Sequence, residues 1–315
     1  MYKIKQQPED FIVKEISTVK PEKEGKYSYF LLKKKNYTTI RALEHIAQAL
    51  NIQLKKLGFA GNKDKTAITE QVCSAEGIGK EKLEKVKLKD IEIKFLGKGN
   101  EPVSLGTLEG NEFEITVRNI DKKPKPKTKF INFFGEQRFS KNNAEIGKAI
   151  VKKEFKQAVN LLLEGKGDVE KRIKEYLSKN PNNYVGALRT IPAKILKLYI
   201  HAYQSWIWNQ TAETHKEEEL AEIPLVGFGT IIADKCMADL LLKEKIEPRD
   251  FIIREIPELS SEGSSRSFTA EAKDLKIGEL EEDELNKGKK KVLIKFKLQK
   301  GSYATEFIKQ LFSQD

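Results

Sequence analysis

The feature that most constrains this chain is where its two hydrophobic periods fall. Residues 9–18 (EDFIVKEIST) and 26–34 (KYSYFLLKK) read as short strands, and 90–96 (DIEIKFL) and 111–118 (NEFEITVR) alternate apolar and polar residues as half-buried strands do. That alternation returns near the far end, where Val292, Ile294, Phe296 and Leu298 share one face of a strand over 291–299, followed by a helix over 304–313. Between the two, from about 142 to 212, the spacing is helical, and 191–212 (IPAKILKLYIHAYQSWIWNQTA) reads as a strongly apolar helix. Acidic, turn-rich sequence follows to about 265. Strands at both ends and helices in the middle predict an α+β core interrupted by a mainly helical insertion.

Local signals add detail. Thr38-Thr39 predicts a capped helix through about Leu50, with Ile40, Leu43, Ala47 and Leu50 on one side. Residues 57–71 (LGFAGNKDKTAITEQ) read as a loop rich in glycine and small side chains. Residues 121–129 (DKKPKPKTK) read as an exposed basic loop broken by proline.

Charge narrows the choice of partner. The 315 residues carry a formal net charge of +11. Residues 1–65 hold 14 Lys/Arg against 7 Asp/Glu, whereas 213–222 and 279–284 are acidic runs. A localised basic surface favours a polyanion, nucleic acid before acidic membrane. Cys73 and Cys236 stand alone, and His45, His201 and His215 show no ligand spacing, so neither a zinc site nor a disulfide framework is expected. No apolar leader and no stretch of about 20 apolar residues is visible, so a cytoplasmic protein without a membrane span is expected.

Four segments offer chemistry. Gly58-Phe59-Ala60-Gly61-Asn62-Lys63-Asp64-Lys65-Thr66 lacks the spacing of a phosphate-binding loop, but sets a carboxylate between two lysines on a tight loop. Nearby cations keep such a carboxylate ionised, fit to act as nucleophile or base. A surface turn is the plainer reading of those residues alone. Asn132-Phe133-Phe134-Gly135-Glu136-Gln137-Arg138-Phe139 sets aromatics beside an amide and an arginine, the means by which unpaired RNA bases are stacked and read. Its alternative is a strand end with Phe133 and Phe139 buried. In Ser205-Trp206-Ile207-Trp208-Asn209, Ile207 and Trp208 read as packing. Gly301-Ser302-Tyr303-Ala304-Thr305 reads equally as a phosphate-facing turn or an ordinary helix start.

Taken in order, PEDFIVKEI, GFAGNKDKTAITEQ, NFFGEQRFS, SWIWN and KGSYAT resemble the TruD family of pseudouridine synthases, from about Lys5 to Phe307. The second and third blocks are the specific ones. The resemblance implies a V-shaped, two-lobed protein. One lobe is a pseudouridine synthase core with a mixed, mostly antiparallel sheet (1–140 and 266–315, with helix 192–212 expected to pack on it). The other is the family's insertion (141–265), shorter here than in bacterial relatives. It implies isomerisation of uridine to pseudouridine in tRNA, at position 13, without metal or organic cofactor, by an enzyme expected to be a monomer. Carried over by motif, Asp64 matches the catalytic aspartate and Lys5 the basic residue that pairs with it. Phe134 matches the aromatic that stacks on the target base, and Asn132 the residue that holds the base or its ribose. Glu15, Lys63, Gln137 and Arg138 belong to the same blocks as expected substrate contacts. Ser140 departs from a common glycine and Trp208 from a frequent phenylalanine; neither touches the implied chemistry. Two rivals remain at this point. One is a non-catalytic RNA-binding protein, which has no need of Asp64. The other is an RNA methyltransferase, which needs a glycine-rich cofactor loop that this sequence lacks.

Overall fold

A computed structural model describes residues 1–165 and 167–313; Lys166, Gln314 and Asp315 lie outside the described residues. The strands are β1 (Phe11–Ser17), β2 (Tyr27–Lys35), β3 (Leu57–Phe59), β4 (Ile68–Glu76), β5 (Ile91–Gly99), β6 (Leu108–Ile120), β7 (Lys129–Ile131), β8 (Glu222–Leu225), β9 (Ser264–Ser267), β10 (Thr269–Glu271), β11 (Lys273–Ile277), β12 (Glu281–Glu282) and β13 (Lys290–Gln299). The helices are α1 (Thr39–Leu50), α2 (Lys80–Glu84), α3 (Asn143–Val151), α4 (Phe155–Leu163), α5 (Asp168–Lys179), α6 (Tyr184–Arg189), α7 (Ala193–Thr214), α8 (Lys235–Glu244) and α9 (Ala304–Phe312). The chain forms two compact units, Met1–Lys129 with Glu271–Asp315, and Phe130–Ala270. The divisions fall at 129/130 and 270/271, and the NFFGEQRF segment clusters with the second unit.

The first unit is built on a nine-stranded sheet in the order β11-β13-β6-β1-β4-β2-β5, with β12 also on β13 and β3 also on β4. The sheet is mixed and mostly antiparallel, and the fold is α+β. Its parallel pair is β1 with β4, Ile12 opposite Ile68 and Lys14 opposite Glu70. Only the start of β4 meets β1; farther along, β3 pairs beside it, Leu57 opposite Ala75. Gly58 leaves room for its neighbours here, because a Cβ there would sit 2.6 Å from Ser74 Oγ on β4 and 2.3 Å from the Val103 carbonyl oxygen.

Period-two burial shapes both faces. Phe30, Leu32 and Cys73 are fully buried under α1 and α2 through Leu43, Ile46 and Leu83. The helix start was legible: Thr38 caps α1, its hydroxyl accepting from the Arg41 N–H at 3.3 Å. The inward stripe is Thr39, Ala42, Leu43, Ile46 and Ala47, however, and Ile40 is 43% exposed. Across β1, β6, β13 and α9 runs a row of rings, Phe11, Phe113, Phe296 and Phe307, with centroids 4.6–6.1 Å apart. Each buried phenylalanine contributes about 1.5–3 kcal/mol. Val292, Ile294, Phe296 and Leu298 face inward, as their alternation predicts.

One charged cluster ties distant parts of this unit together. Arg118 on β6, 2% exposed, donates from Nε to Asp10 at 2.8 Å, from one terminal nitrogen to Asp283 at 2.9 Å and from the other to Glu284 at 3.0 Å. Burial alone would raise the Asp283 carboxyl. The Asn119 and Leu285 N–H groups, the Asn286 amide and Arg118 hold it instead at about 2.

In the second unit, α3 lies against α7 at Gly147, where a Cβ would stand 2.0 Å from the Tyr199 carbonyl oxygen. The helix predicted over 191–212 is α7, and it clusters with this unit. Ile200, Ile207 and Trp208 are fully buried, and the Trp208 indole N–H donates to the Ile223 carbonyl at 3.1 Å. The stretch read as turn-rich holds α8, capped by Asp234, which accepts from the Met237 N–H at 2.6 Å. Among the described residues, no helix is long and apolar enough to cross a membrane.

Replacing Arg118 with alanine leaves Asp10 and Asp283 buried and unpaired. It is expected to cost about 3–5 kcal/mol in urea unfolding. Asp283 titrates near 2 when folded, below its ordinary 3.8, so its contribution is present above about pH 4 and lost as pH falls toward 2. Asp283→Asn is expected to flatten that acid limb, measured as unfolding midpoint against pH.

Candidate active site

The loop between β3 and β4 carries Asp64, and its backbone groups are anchored one after another. The Gly106 N–H donates to the Ala60 carbonyl at 2.9 Å. The Gln71 amide donates to the Gly61 carbonyl at 3.1 Å. The Lys63 N–H donates to the Thr39 hydroxyl at 2.9 Å, and that hydroxyl donates on to Gln71 Oε1 at 2.9 Å. The Lys34 ammonium donates to the Asp64 carbonyl at 2.9 Å. A loop fixed at this many points presents its side chains in one geometry.

Two ion pairs hold the side chains of this loop. Lys5 Nζ lies 2.5 Å from Asp64 Oδ2, with the Asp64 side chain 31% exposed. Lys5 also sits over the Phe11 ring at 4.1 Å and holds a left-handed φ of 57°. Such a conformation costs a lysine on the order of 1–3 kcal/mol and is a mark of functional positions. Lys63 Nζ lies 2.8 Å from Glu15 Oε2, both side chains being almost wholly buried, and donates to Asn111 Oδ1 at 2.6 Å. The structure thus brings Lys5 and Asp64 together at one end of the sheet, and Lys63 reaches Glu15 farther along β1. Lys63 and Glu15 are turned toward each other, so they brace the loop.

In the second unit Asn132, Phe134 and Arg266 form a plate. Arg266 donates twice to the Asn132 carbonyl, at 2.8 and 2.9 Å, and once to its side-chain oxygen at 2.8 Å. Its guanidinium lies 4.0 Å from the centroid of Phe134, which is 8% exposed and meets Trp208 edge-on. Asn209 clamps Phe134 by both main-chain groups, accepting from its N–H and donating to its carbonyl, each at 2.9 Å. Phe133 and Phe139 are half-buried. Arg138 Nε donates to the Ser205 hydroxyl at 3.2 Å, and Gln137 is exposed.

Sequence reasoning missed Lys34 and Arg266. Lys34 lay in a lysine run that looked solvated, yet it shares parity with Phe30 and Leu32, which is the signal that marks its face as buried. Nothing local marks Arg266. The fold gathers His215, Asp234 and Cys236 so that one ligand atom of each lies within 4.8 Å of the others, a set that could hold a divalent ion. They meet because the chain returns from β8 to the start of α8. The Glu218 hydrogen bond, with Asp234 on the other ring nitrogen, raises the His215 pKa against the effect of burial, and the imidazolium uses the same contacts.

This arrangement has known counterparts. The family model described as tRNA pseudouridine synthase D (TruD) matches residues 2–175, 162–222 and 214–311. A tRNA pseudouridine synthase D of Aquifex aeolicus is 31% identical, aligned over 99% of this chain and 98% of that one. The crystal structure of a TruD protein from Methanosarcina mazei superposes with a TM-score of 0.75 at 29% identity, covering 96% of this chain and 91% of its own. The chain belongs to the TruD family.

Lys63→Met leaves the Glu15 carboxylate buried without its cation and is expected to lower stability by about 3–5 kcal/mol. Adding Glu15→Gln is expected to recover most of that loss. Urea curves for the single and double variants give the coupling.

Proposed function

We infer that this chain isomerises uridine to pseudouridine in tRNA, with Asp64 as the catalytic carboxylate and position 13 as the target. The observation that carries the reading is the Lys5–Asp64 pair, a partly exposed carboxylate on a fixed loop with one ammonium at 2.5 Å, in a member of this family. The target base must leave its stack, at a cost of a few kcal/mol. Its N-glycosidic bond then breaks, the base turns, and a bond forms from C5 to C1′ while C5 loses its proton. A carboxylate beside the ribose serves this by removing the 2′ proton to give a glycal, by attack on C1′, or by attack on C6 of the base. Lys5 holds the Asp64 carboxylate in one orientation.

Phe134 is proposed to stack on the base and Asn132 to hold the base or ribose. An incoming base sits opposite the Arg266 guanidinium on the Phe134 ring or takes its place. Gln137 and Arg138 are proposed RNA contacts, while Glu15 and Lys63 act by bracing the Asp64 loop. Residues 1–140 and 266–315 are proposed as the catalytic core and 141–265 as the insertion. The enzyme is proposed to work as a cytoplasmic monomer. Its basic surface, the 121–129 segment included, supplies salt-dependent affinity for phosphates.

Asp64→Ala and Asp64→Asn are expected to keep the fold and tRNA affinity and to abolish product, read by carbodiimide mapping of an unmodified tRNA transcript. Full activity in either would sink the assignment. Phe134→Ala is expected to slow turnover far more than Phe133→Ala. Equal effects would mean that the stacking ring is wrongly chosen.

A further inference from the structure

Lys34 is an anomaly in its own strand. On β2 it shares a face with Phe30 and Leu32, beneath the helical layer, and it is 1% exposed. A buried ammonium is costly unless something offsets it. Its Nζ donates to two main-chain carbonyls, those of Tyr37 at 2.5 Å and Asp64 at 2.9 Å, and among the described residues no carboxylate oxygen is in direct contact with it. Carbonyls solvate a cation only in part, and a methionine of similar length would fill this place without that cost. The neighbourhood is also polar where the rest of the face is apolar. Thr69 lies opposite on β4 and leaves its hydroxyl without a hydrogen bond, and Thr39 and Gln71 are buried nearby in the bonds that hold the loop.

We propose that Lys34 is a positioning residue for Asp64, fixing the main chain at that residue and adding a second positive charge to the one that Lys5 supplies to its carboxylate. The proposal rests on Asp64 being the catalytic group. The two lysines divide the task. Lys5 grips the carboxylate from the partly exposed side, whereas Lys34 grips the same residue through its carbonyl from within the core. The Tyr37 carbonyl ties that grip to the segment leading into α1, so loop and helix share one anchor.

The groups facing Lys34 determine how it titrates. From the loop these are Asp64, whose charge favours the ammonium, and Lys63, whose charge opposes it. From the sheet, Thr69 on β4 and Ile91 on β5 bring no charge. Burial outweighs the help from Asp64 and lowers the Lys34 pKa from 10.5 to about 8. Two consequences then run in opposite directions. Between about pH 8 and 10.5 the unfolded chain binds the proton and the folded chain does not, so this group makes the fold more stable as pH rises. Over the same rise the charge beside Asp64 disappears and turnover falls. A lysine that served only the fold would show the first effect without the second.

The test compares wild type, Lys34→Met, Lys34→Arg and Asp64→Asn on an unmodified tRNA transcript from pH 6.5 to 9.5, with urea unfolding alongside. Lys34→Met is expected to unfold at or above the wild-type urea midpoint. It is also expected to lose on the order of 10–100-fold in kcat with KM little changed, the scale of a misplaced catalytic group. The fall in kcat above about pH 8 is expected to vanish in Lys34→Met and to move to higher pH in Lys34→Arg. Wild-type kcat in Lys34→Met, or a lowered kcat that keeps the same alkaline fall, would overturn the proposal. If Lys34→Met does not fold, the shift in Lys34→Arg decides: an unmoved alkaline fall overturns it. An active Asp64→Asn would instead remove the reading on which the proposal rests.

Discussion

The constraint on which this end of the molecule depends is the parallel pairing of β1 with β4. Parallel neighbours begin at the same end of a sheet, so the segments that lead into them meet there. Lys5 precedes β1 and Asp64 precedes β4, which is why residues so far apart in sequence lie 2.5 Å apart. The antiparallel neighbours finish at the same end. β2 delivers Lys34 there, opposite Thr69, whereas Asn111 stands near the start of β6, opposite Glu15 farther along β1, where Lys63 reaches it. One inverted strand would scatter the whole group.

Beside the Lys63–Glu15 pair, two centres of buried charge in this unit have different surroundings. Around Arg118 the charge is balanced by Asp10 and Asp283 in direct contact, with Glu284 at the rim. That cluster fixes register between the N-terminal segment and the last strands, and its net energy is small beside the penalty for removing one partner. Around Asp64 the balance is left open. Lys34 has carbonyls for partners, Thr69 keeps an unused hydroxyl, and Lys5 and Asp64 stay partly exposed. A core that gives up apolar packing at one end, while filling the rest with leucine and phenylalanine, gives up stability there in exchange for polar placement.

Much of the architecture was legible. The alternation in β13 and the Thr38 cap rest on local rules, and both appear as the residues require. The start of β4 was not, because Ile68 to Glu76 mixes threonine, glutamine and serine with apolar residues. Thr69, Gln71 and Ser74 are buried all the same, Gln71 bonding the Gly61 carbonyl of the loop and Ser74 the Val103 N–H, so tertiary demands overrode the pattern. Ile40 does share a side with Leu43, Ala47 and Leu50, but the buried stripe of the helix starts from Thr39. At the candidate site, Asp64 and Lys5 came from a recognisable order of motifs, not from their local setting. Arg266 could not have been found, since its partners Asn132 and Phe134 lie across more than a hundred residues of intervening chain.

That arginine has a consequence for motion. Phe134 is held by its main chain through Asn209, by its edge through Trp208 and across its face by a guanidinium that is itself forked onto Asn132. Ring rotation at such a position requires several neighbours to yield together. The entropy of ordering the ring is therefore lost when the chain folds, and little remains to be lost in the base stacking proposed for it. Stacking against a surface already immobilised retains more of its intrinsic strength than stacking against a side chain that must first be brought to rest.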